Sequence, residues 1–392
     1  MAQEDRPVAA TDGGPLAGLL VADFSRVLAG PYATMLLADM GAEVIKVESP
    51  QGDETRTWMP PTRGETSTYY LGINRGKRSV ALDLREPGDV ALAQELARRA
   101  DVLVENLRPG GMAKYGLDYA SVAADNPALV YASISGFGST GGAHVPGYDL
   151  MVQAVSGLMS LTGDKDGPPY RAGISMFDVM AGKDALIGIL AALRHRDATG
   201  RGQHVELSLL ASAMSGMVNQ SSAYVAGGVV PHRMGNAHPS VVPYEPLPTA
   251  DNDLIVAAAN DGQFRKLCEV LGMPELADDP RFARNADRTA NRDQLRPVLV
   301  DVLKQRTAVE WFDLLVAAGV PCGPIQSIDG GFAMAEQFAL EPVVTVGEGE
   351  RALPMARHPI TFSASPARYA LPPPELDEHG AELRKWLEED PA

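Results

Sequence analysis

The sequence predicts an α/β protein built on a parallel, doubly wound sheet, with a smaller α/β unit after it. Three observations carry this. Short apolar runs alternate with amphipathic segments over residues 18–136, the order that strands and crossover helices take in a parallel sheet. A chain of 392 residues that is 45% hydrophobic can fill two cores. The composition then changes at Ala226-Gly227-Gly228, and a loop-like, proline-rich stretch follows to residue 249.

Taken in order, residues 19–24 read as a strand and 31–40 as a helix with Pro31 in its first turn. Residues 42–48, 79–84, 101–107 and 129–135 read as further strands, with a helix over 86–100. Helices over 148–162 and 177–195 follow, then a turn at Thr199-Gly200-Arg201-Gly202, a strand over 203–208 and a helix over 209–224. The smaller unit reads as strand 254–259, helices 263–271, 292–304 and 308–318, and strand 323–327. A last helix spans 375–388. The expected organisation is a disordered tail (1–14), the first part of a large domain (15–225), a linker and active-site loop (226–252), a small domain (253–328), and a linker that returns to the large domain (329–392).

Net charge is −16, from 34 basic and 50 acidic residues. Such a field disfavours nucleic acid and anionic membranes, so any anionic ligand needs local cations. Two cysteines, Cys268 and Cys322, have no zinc-site spacing and suit a reducing, cytoplasmic setting with no metal. The acidic N-terminus is unlike a signal peptide, and no apolar run reaches the roughly 18 residues of a membrane span.

Two near-motifs narrow the chemistry. Gly136-Phe137-Gly138-Ser139-Thr140-Gly141 has dinucleotide-fingerprint spacing after a strand. That fingerprint needs a helix opening on its last glycine, and Gly142, Pro146 and Gly147 follow instead. No nicotinamide or flavin is expected. The loop still lies at a strand's carboxyl end, where open α/β sheets bind ligands, so Phe137 and Gly138 are candidate substrate contacts. Gly76-Lys77-Arg78-Ser79 is similar to the end of a P-loop, but Leu71 stands where its first glycine belongs and Arg78 displaces the Ser/Thr. Arg75, Lys77 and Arg78 are then either a solvated turn or a phosphate clamp.

Asp178 heads a long apolar helix after a Gly- and Pro-rich approach from Gly163 to Gly173. A carboxylate there can be a cap, a base or a nucleophile; capping is the commonest use. Small residues at Ala181 and Gly182, the rigid Pro168-Pro169 and Ser175 suggest a shaped mouth open to a ligand. A helix N-terminus is also expected to keep the carboxylate ionised, as a nucleophile requires.

With these residues in view, the chain resembles the class III CoA-transferases (the CaiB/BaiF family) over roughly residues 15–390. The resemblance rests on Asp23-Phe24-Ser25-Arg26-Val27-Leu28-Ala29-Gly30-Pro31, Gly41-Ala42-Glu43-Val44-Ile45-Lys46-Val47-Glu48, Asn74 to Ser79, Val104-Glu105-Asn106, Gly147-Tyr148-Asp149, the Asp178 segment and Thr199 to Gln203, in that order. It implies a Rossmann-like large domain with a smaller α/β domain, in an interlocked, ring-like homodimer. It implies that Asp178 is the nucleophile. It also implies that coenzyme A lies along Arg26, Val27, Leu28 and Ala29, the turn with Arg75, Lys77 and Arg78, Asn106 with Leu107, and Lys114.

Relatives that racemise 2-methylacyl-CoA use a histidine where this chain has Tyr148, whose ordinary pKa near 10 makes a poor α-proton base. Arg26 and Leu28 depart from the formyl-CoA:oxalate enzymes, and Gly235 to Tyr244 replaces their glycine-rich loop. That run resembles the branch that uses succinyl-CoA with dicarboxylates, and argues against an oxalate or formyl substrate. The expected partners are an acyl-CoA and a small dicarboxylic acid. Arg233 and His238 are the expected contacts for its second carboxylate. The implied route runs through an aspartyl anhydride and an aspartyl-CoA thioester, without ATP. A 2-methylacyl-CoA racemase, intramolecular CoA transfer within one dicarboxylate, and a non-catalytic CoA-binding protein are the alternatives.

Overall fold

A computed structural model describes residues 13–389. Most of the expected tail lies outside the described residues. Gly14, assigned to it, packs on the turn at Gly41, where a Cβ would meet Met40 O at 2.6 Å.

The chain forms two compact units. The first comprises residues 13–156, 172–228 and 341–389; the second comprises 157–171 and 229–340. The second unit therefore begins well before the expected residue 253, runs beyond 328 and takes in the 157–171 loop.

The first unit is built on six parallel strands: β1 (Leu20–Asp23), β2 (Glu43–Glu48), β3 (Lys77–Ala81), β4 (Val102–Glu105), β5 (Val130–Ser135) and β6 (His204–Ser208). Their spatial order is β3-β2-β1-β4-β5-β6, which reverses direction between β1 and β4. Strands β1 and β4 are buried throughout, so their near-continuous apolar runs suit a sheet covered on both faces. Helices α1 (Ala29–Asp39), α2 (Pro87–Arg99), α3 (Asp149–Val155) and α4 (Met176–Thr199) belong to the same unit. The C-terminal helix Gly380–Glu388 returns to it, placing Leu383, Trp386 and Leu387 in one core with Leu20, Leu96 and Leu103.

Local chemistry corrects several boundaries. The helix expected over 148–162 breaks at Gly157, which has φ 94°, a conformation glycine adopts freely. The one expected over 209–224 divides at Met217 into Leu209–Gly216 and Val218–Val225. The strand expected at 79–84 is Lys77–Ala81, so Lys77 and Arg78 of the cationic turn are themselves sheet.

In the second unit, Tyr244–Pro248, Asp253–Ala257 and Cys322–Pro324 form an antiparallel sheet with the middle strand at its centre. The first of these was expected to be loop because of its prolines. It is an edge strand, where a missing N–H is tolerated. Helices Asp261–Val270, Arg292–Leu303 and Ala308–Ala317 pack Phe264, Leu267, Leu299 and Trp311 against it.

The cations of the 75–78 turn are neither solvated nor a phosphate clamp. Lys77 is fully buried and its Nζ donates to Asp23 Oδ2 (3.0 Å), Asn74 Oδ1 (3.0 Å) and Pro31 O (2.9 Å). Arg75 grips Asp39 through Nε and Nη2 at 2.8 and 2.7 Å. Arg78 pairs with Glu43 and Glu382. Burial draws the Lys77 ammonium down to about 8, against the opposing pull of Asp23. Burial raises Asp23, yet Lys77 and Lys46 hold it below its usual range. Removing one partner of a buried pair leaves the other uncompensated. Lys77→Met is expected to cost about 3–5 kcal/mol of stability in denaturant unfolding. Unchanged stability would overturn this assignment.

Candidate active site

The loops after β1, β4 and β5 meet the head of α4 around a cavity of about 320 Å³. Arg26, Val27, Leu28 and Ala29 line it from the first loop, Asn106 and Leu107 from the second, and Ser135 and Gly136 from the third. Tyr148 and Asp178 complete it. This is the point where the strand order reverses, the usual ligand crevice of an open α/β sheet.

Glycines allow the close approach. A Cβ on Gly182 would lie 2.6 Å from Ala29 O, so the first turns of α4 press directly on the start of α1. A Cβ on Gly136 would lie 2.6 Å from the Cα of Gly147. Neither contact survives a larger side chain without backbone movement.

The 25–28 loop is fixed from several sides. Asn106 clamps Arg26, accepting from its N–H at 2.9 Å and donating to its carbonyl at 2.7 Å. Buried Lys46 donates to Ser25 O (3.0 Å) and Asp53 Oδ2 (2.9 Å). Asp53 in turn accepts from Val27 N–H at 3.2 Å. Val27 has φ 68°, a strained value for a β-branched residue that costs on the order of 1–3 kcal/mol. The surrounding hydrogen bonds hold it there.

Asp178 is not the cap of its helix. It is the third residue of α4, and Asp149, buried at the start of α3, supplies the cap from outside the helix. Asp149 Oδ1 accepts from Phe177 N–H at 2.7 Å and from Asp178 N–H at 3.2 Å. Gln153 secures the arrangement, donating to Asp149 Oδ2 and to Ile174 O (3.2 Å) and accepting from Ala172 N–H at 2.8 Å. Among the described residues no hydrogen bond to the Asp178 carboxylate is present, and Asp178 lines the cavity. Burial, and then the neighbouring Asp149 charge, push its pKa up to about 7. The expectation that the helix end keeps Asp178 firmly ionised is thus corrected. Desolvation and a like charge outweigh the helix dipole, and near neutral pH the carboxyl is divided between its two forms.

Glu54, which sequence reasoning missed, joins two walls of the cavity. Its Oε1 accepts from Arg26 Nη1 at 2.8 Å, and its Oε2 lies 3.5 Å from the Tyr148 hydroxyl. Asp149 was also missed as a cap, although it sits in the Gly147-Tyr148-Asp149 motif. The cap spans 28 residues of sequence, and no local pattern announces it.

The other expected contacts are distributed as follows. Phe137 and Gly138 follow the cavity loop without lining it, and Gly138 N–H is taken by Ser135 Oγ at 3.0 Å. Lys114 lies in a short helical turn, its Nζ 4.5 Å above the Tyr115 ring. Tyr115 lines a second cavity of about 320 Å³, which shares Arg26, Glu54 and Leu107 with the first. Arg233 and His238 belong to the second unit. Arg233 donates to Asp164 O at 3.3 Å, and His238 Nδ1 accepts from Ser240 N–H at 3.1 Å. Among the described residues no cluster of three or more His, Cys, Asp or Glu is placed to hold a metal, and no helix is long and apolar enough to cross a membrane.

Known proteins resemble the chain along nearly all of its length. A family model described as CoA-transferase family III matches residues 16–380. A succinate–glutarate CoA-transferase of Agrobacterium fabrum is 46% identical over 387 residues, covering 95% of this chain and 96% of that protein. An acetyl-CoA:oxalate CoA-transferase of Acetobacter aceti is 42% identical over 376 residues, covering 95% of each. The crystal structure of a CaiB/BaiF family protein from Brucella suis superimposes with a TM-score of 0.85 at 43% identity, covering 96% of this chain and 100% of that one.

The electrostatic coupling at the helix head has a measurable consequence. Asp149→Asn removes the like charge, so the Asp178 carboxyl should titrate below about 7, the value it has beside Asp149. A carboxyl-carbon NMR titration reads this directly. An unchanged or higher value would contradict the assignment.

Proposed function

The chain belongs to CoA-transferase family III, and we propose that its Asp178 carries CoA from an acyl-CoA, succinyl-CoA in particular, to a small dicarboxylic acid. The observation that carries this is Asp178 itself, free of capping duty and lining a cavity at the sheet's switch point.

The chemistry follows from a carboxylate whose pKa is about 7. Ionised, it attacks the thioester carbonyl, the C–S bond breaks, and a mixed aspartyl anhydride and CoA thiolate form. The thiolate attacks the aspartyl carbonyl, expelling the donor acid as its carboxylate and leaving an aspartyl-CoA thioester. The acceptor carboxylate then attacks this thioester, releasing thiolate and forming a second anhydride. Thiolate attack on the acceptor's carbonyl yields the new acyl-CoA and restores Asp178. One thioester replaces another, so the exchange is near balance and needs no ATP. The raised pKa suits this role: a carboxylate destabilised by burial gains most on losing its charge to a covalent bond.

Each tetrahedral intermediate carries an oxyanion, and the Gly136 and Gly147 backbones at the cavity wall are candidates to stabilise it. Coenzyme A is assigned to the backbone of the 26–29 loop and to the adjoining second cavity, an elongated site bordered by Arg26, Glu54 and Leu107, with the Arg26 side chain turned to Glu54. Asn106, spent on the Arg26 backbone, shapes that site. The similarity of the Agrobacterium relative supports a dicarboxylate acceptor. The oxalate enzyme of Acetobacter makes oxalate a member of the acceptor panel too. The interlocked homodimer and a cytoplasmic setting are carried forward as part of this proposal, on family resemblance and two unpaired cysteines.

Succinyl-CoA offered with glutarate, malate, mesaconate, itaconate or oxalate should give a new CoA ester and free succinate in equal amounts. Asp178→Ala should lower that turnover by at least about 10⁴-fold, the scale on which losing a nucleophile acts. Exchange of solvent deuterium into an α-carbon without any acceptor acid would point to the racemase chemistry instead.

A further inference from the structure

We infer that Arg26, assisted by the Tyr148 hydroxyl, is the anchor for the second carboxylate of the acid substrate, and that Glu54 holds this place until the substrate arrives. The inference rests on the reading of the enzyme as a dicarboxylate CoA-transferase and assigns its specificity to named residues.

The structure already displays a carboxylate in this site. Glu54 Oε1 sits 2.8 Å from Arg26 Nη1, and Glu54 Oε2 sits 3.5 Å from Tyr148 Oη. All three residues line the cavity that holds Asp178. The donor set is what a substrate carboxylate needs: a guanidinium on one side and a hydroxyl on the other. The wall of the same cavity includes Val27, Leu28, Leu107 and Ile134, which suit a hydrocarbon spacer. A nucleophile, a cation and an apolar wall in one cavity describe an acid charged at both ends.

Glu54 can yield its place. The Arg26–Glu54 side chains are 57% and 40% exposed, and such solvated pairs are weak. Glu54 opens a short helical turn whose anchor is the buried Asp53, so its side chain can swing out while the backbone stays fixed. The cavity's other arginine, Arg108, is exposed and has no partner among the described residues. It has no carboxylate to stand for a ligand. Arg233, the cation expected from sequence, lies in the second unit and is bonded to Asp164 O.

The test is the selectivity between glutarate and valerate, acids of one chain length with and without the second carboxylate. It is measured as the ratio of kcat/KM, or from the inhibition constant of valerate if valerate is not turned over. Arg26→Met should lower the glutarate preference by about 10–100-fold, the worth of a charge-assisted contact. Tyr148→Phe should lower it less. Glu54→Gln should raise it by about two- to fivefold, because an exposed competing ion pair is lost. An equal fall for both acids in Arg26→Met would overturn the inference, since that is the mark of a CoA contact or a folding defect. A selectivity loss in Arg108→Met and none in Arg26→Met would also overturn it. No CoA transfer to any acid by the unmodified enzyme would overturn this inference together with the reaction on which it rests.

Discussion

The site depends on one interaction, the acceptance by Asp149 of the N–H groups of Phe177 and Asp178. A helix N-terminus exposes unpaired donors, and the nearest acid usually satisfies them. Here a residue from a neighbouring helix does so, which leaves the Asp178 carboxylate without a capping role. The same placement sets a second negative charge beside the first. Together with burial it lifts the Asp178 carboxyl to about 7, so the cap and the raised pKa come from a single arrangement. Gln153 makes the arrangement durable by joining Asp149 to the backbone at Ala172 and Ile174. Sign matters for stability. A carboxyl raised above its unfolded value near 3.9 favours the fold at low pH, and that contribution is lost as pH rises through about 7. Asp178 thus costs the fold stability under the conditions where its ionised form predominates.

The opposite wall is held by a different device. The 25–28 loop contains a strained valine and is over-determined by Asn106, Lys46 and Asp53. Beneath it lies a buried network in which Lys77 joins Asp23, Asn74 and the α1 backbone. Buried charges of this kind contribute little net stability, but they fix geometry because each partner is costly to strand. Gly182 then lets α4 touch the loop's end at Ala29, which brings the two walls within one cavity. The buried scaffold fixes position, whereas the Arg26–Glu54 pair that lines the cavity is exposed.

Much of this was legible in the sequence, for physical reasons. Strand–helix alternation gave the parallel sheet, because fully buried strands must be apolar throughout. Asp178 at the head of an apolar helix, with small residues after it, marked a carboxylate open to a ligand. The family resemblance then made it the expected nucleophile. What failed to show was long-range. Arg75, Lys77 and Arg78 looked like a cationic patch because their counter-ions Asp39, Asp23 and Glu43 lie 35 to 54 residues away. The Asp149 cap is hidden by 28 residues of separation. Glu54 carries no motif and acquires its meaning from folding beside Arg26 and Tyr148. Pro246 and Pro248 argued for loop because sequence does not tell an edge strand from a central one.

The proposed reaction requires Asp178 to become covalently bonded to CoA in turnover. Intact-mass and peptide mass spectrometry of the enzyme mixed with succinyl-CoA tests this most directly. The expected result is a hydroxylamine-labile CoA adduct confined to the peptide containing Asp178 and lost in Asp178→Ala. Continued CoA transfer with no adduct, or with the adduct on another residue, would contradict it.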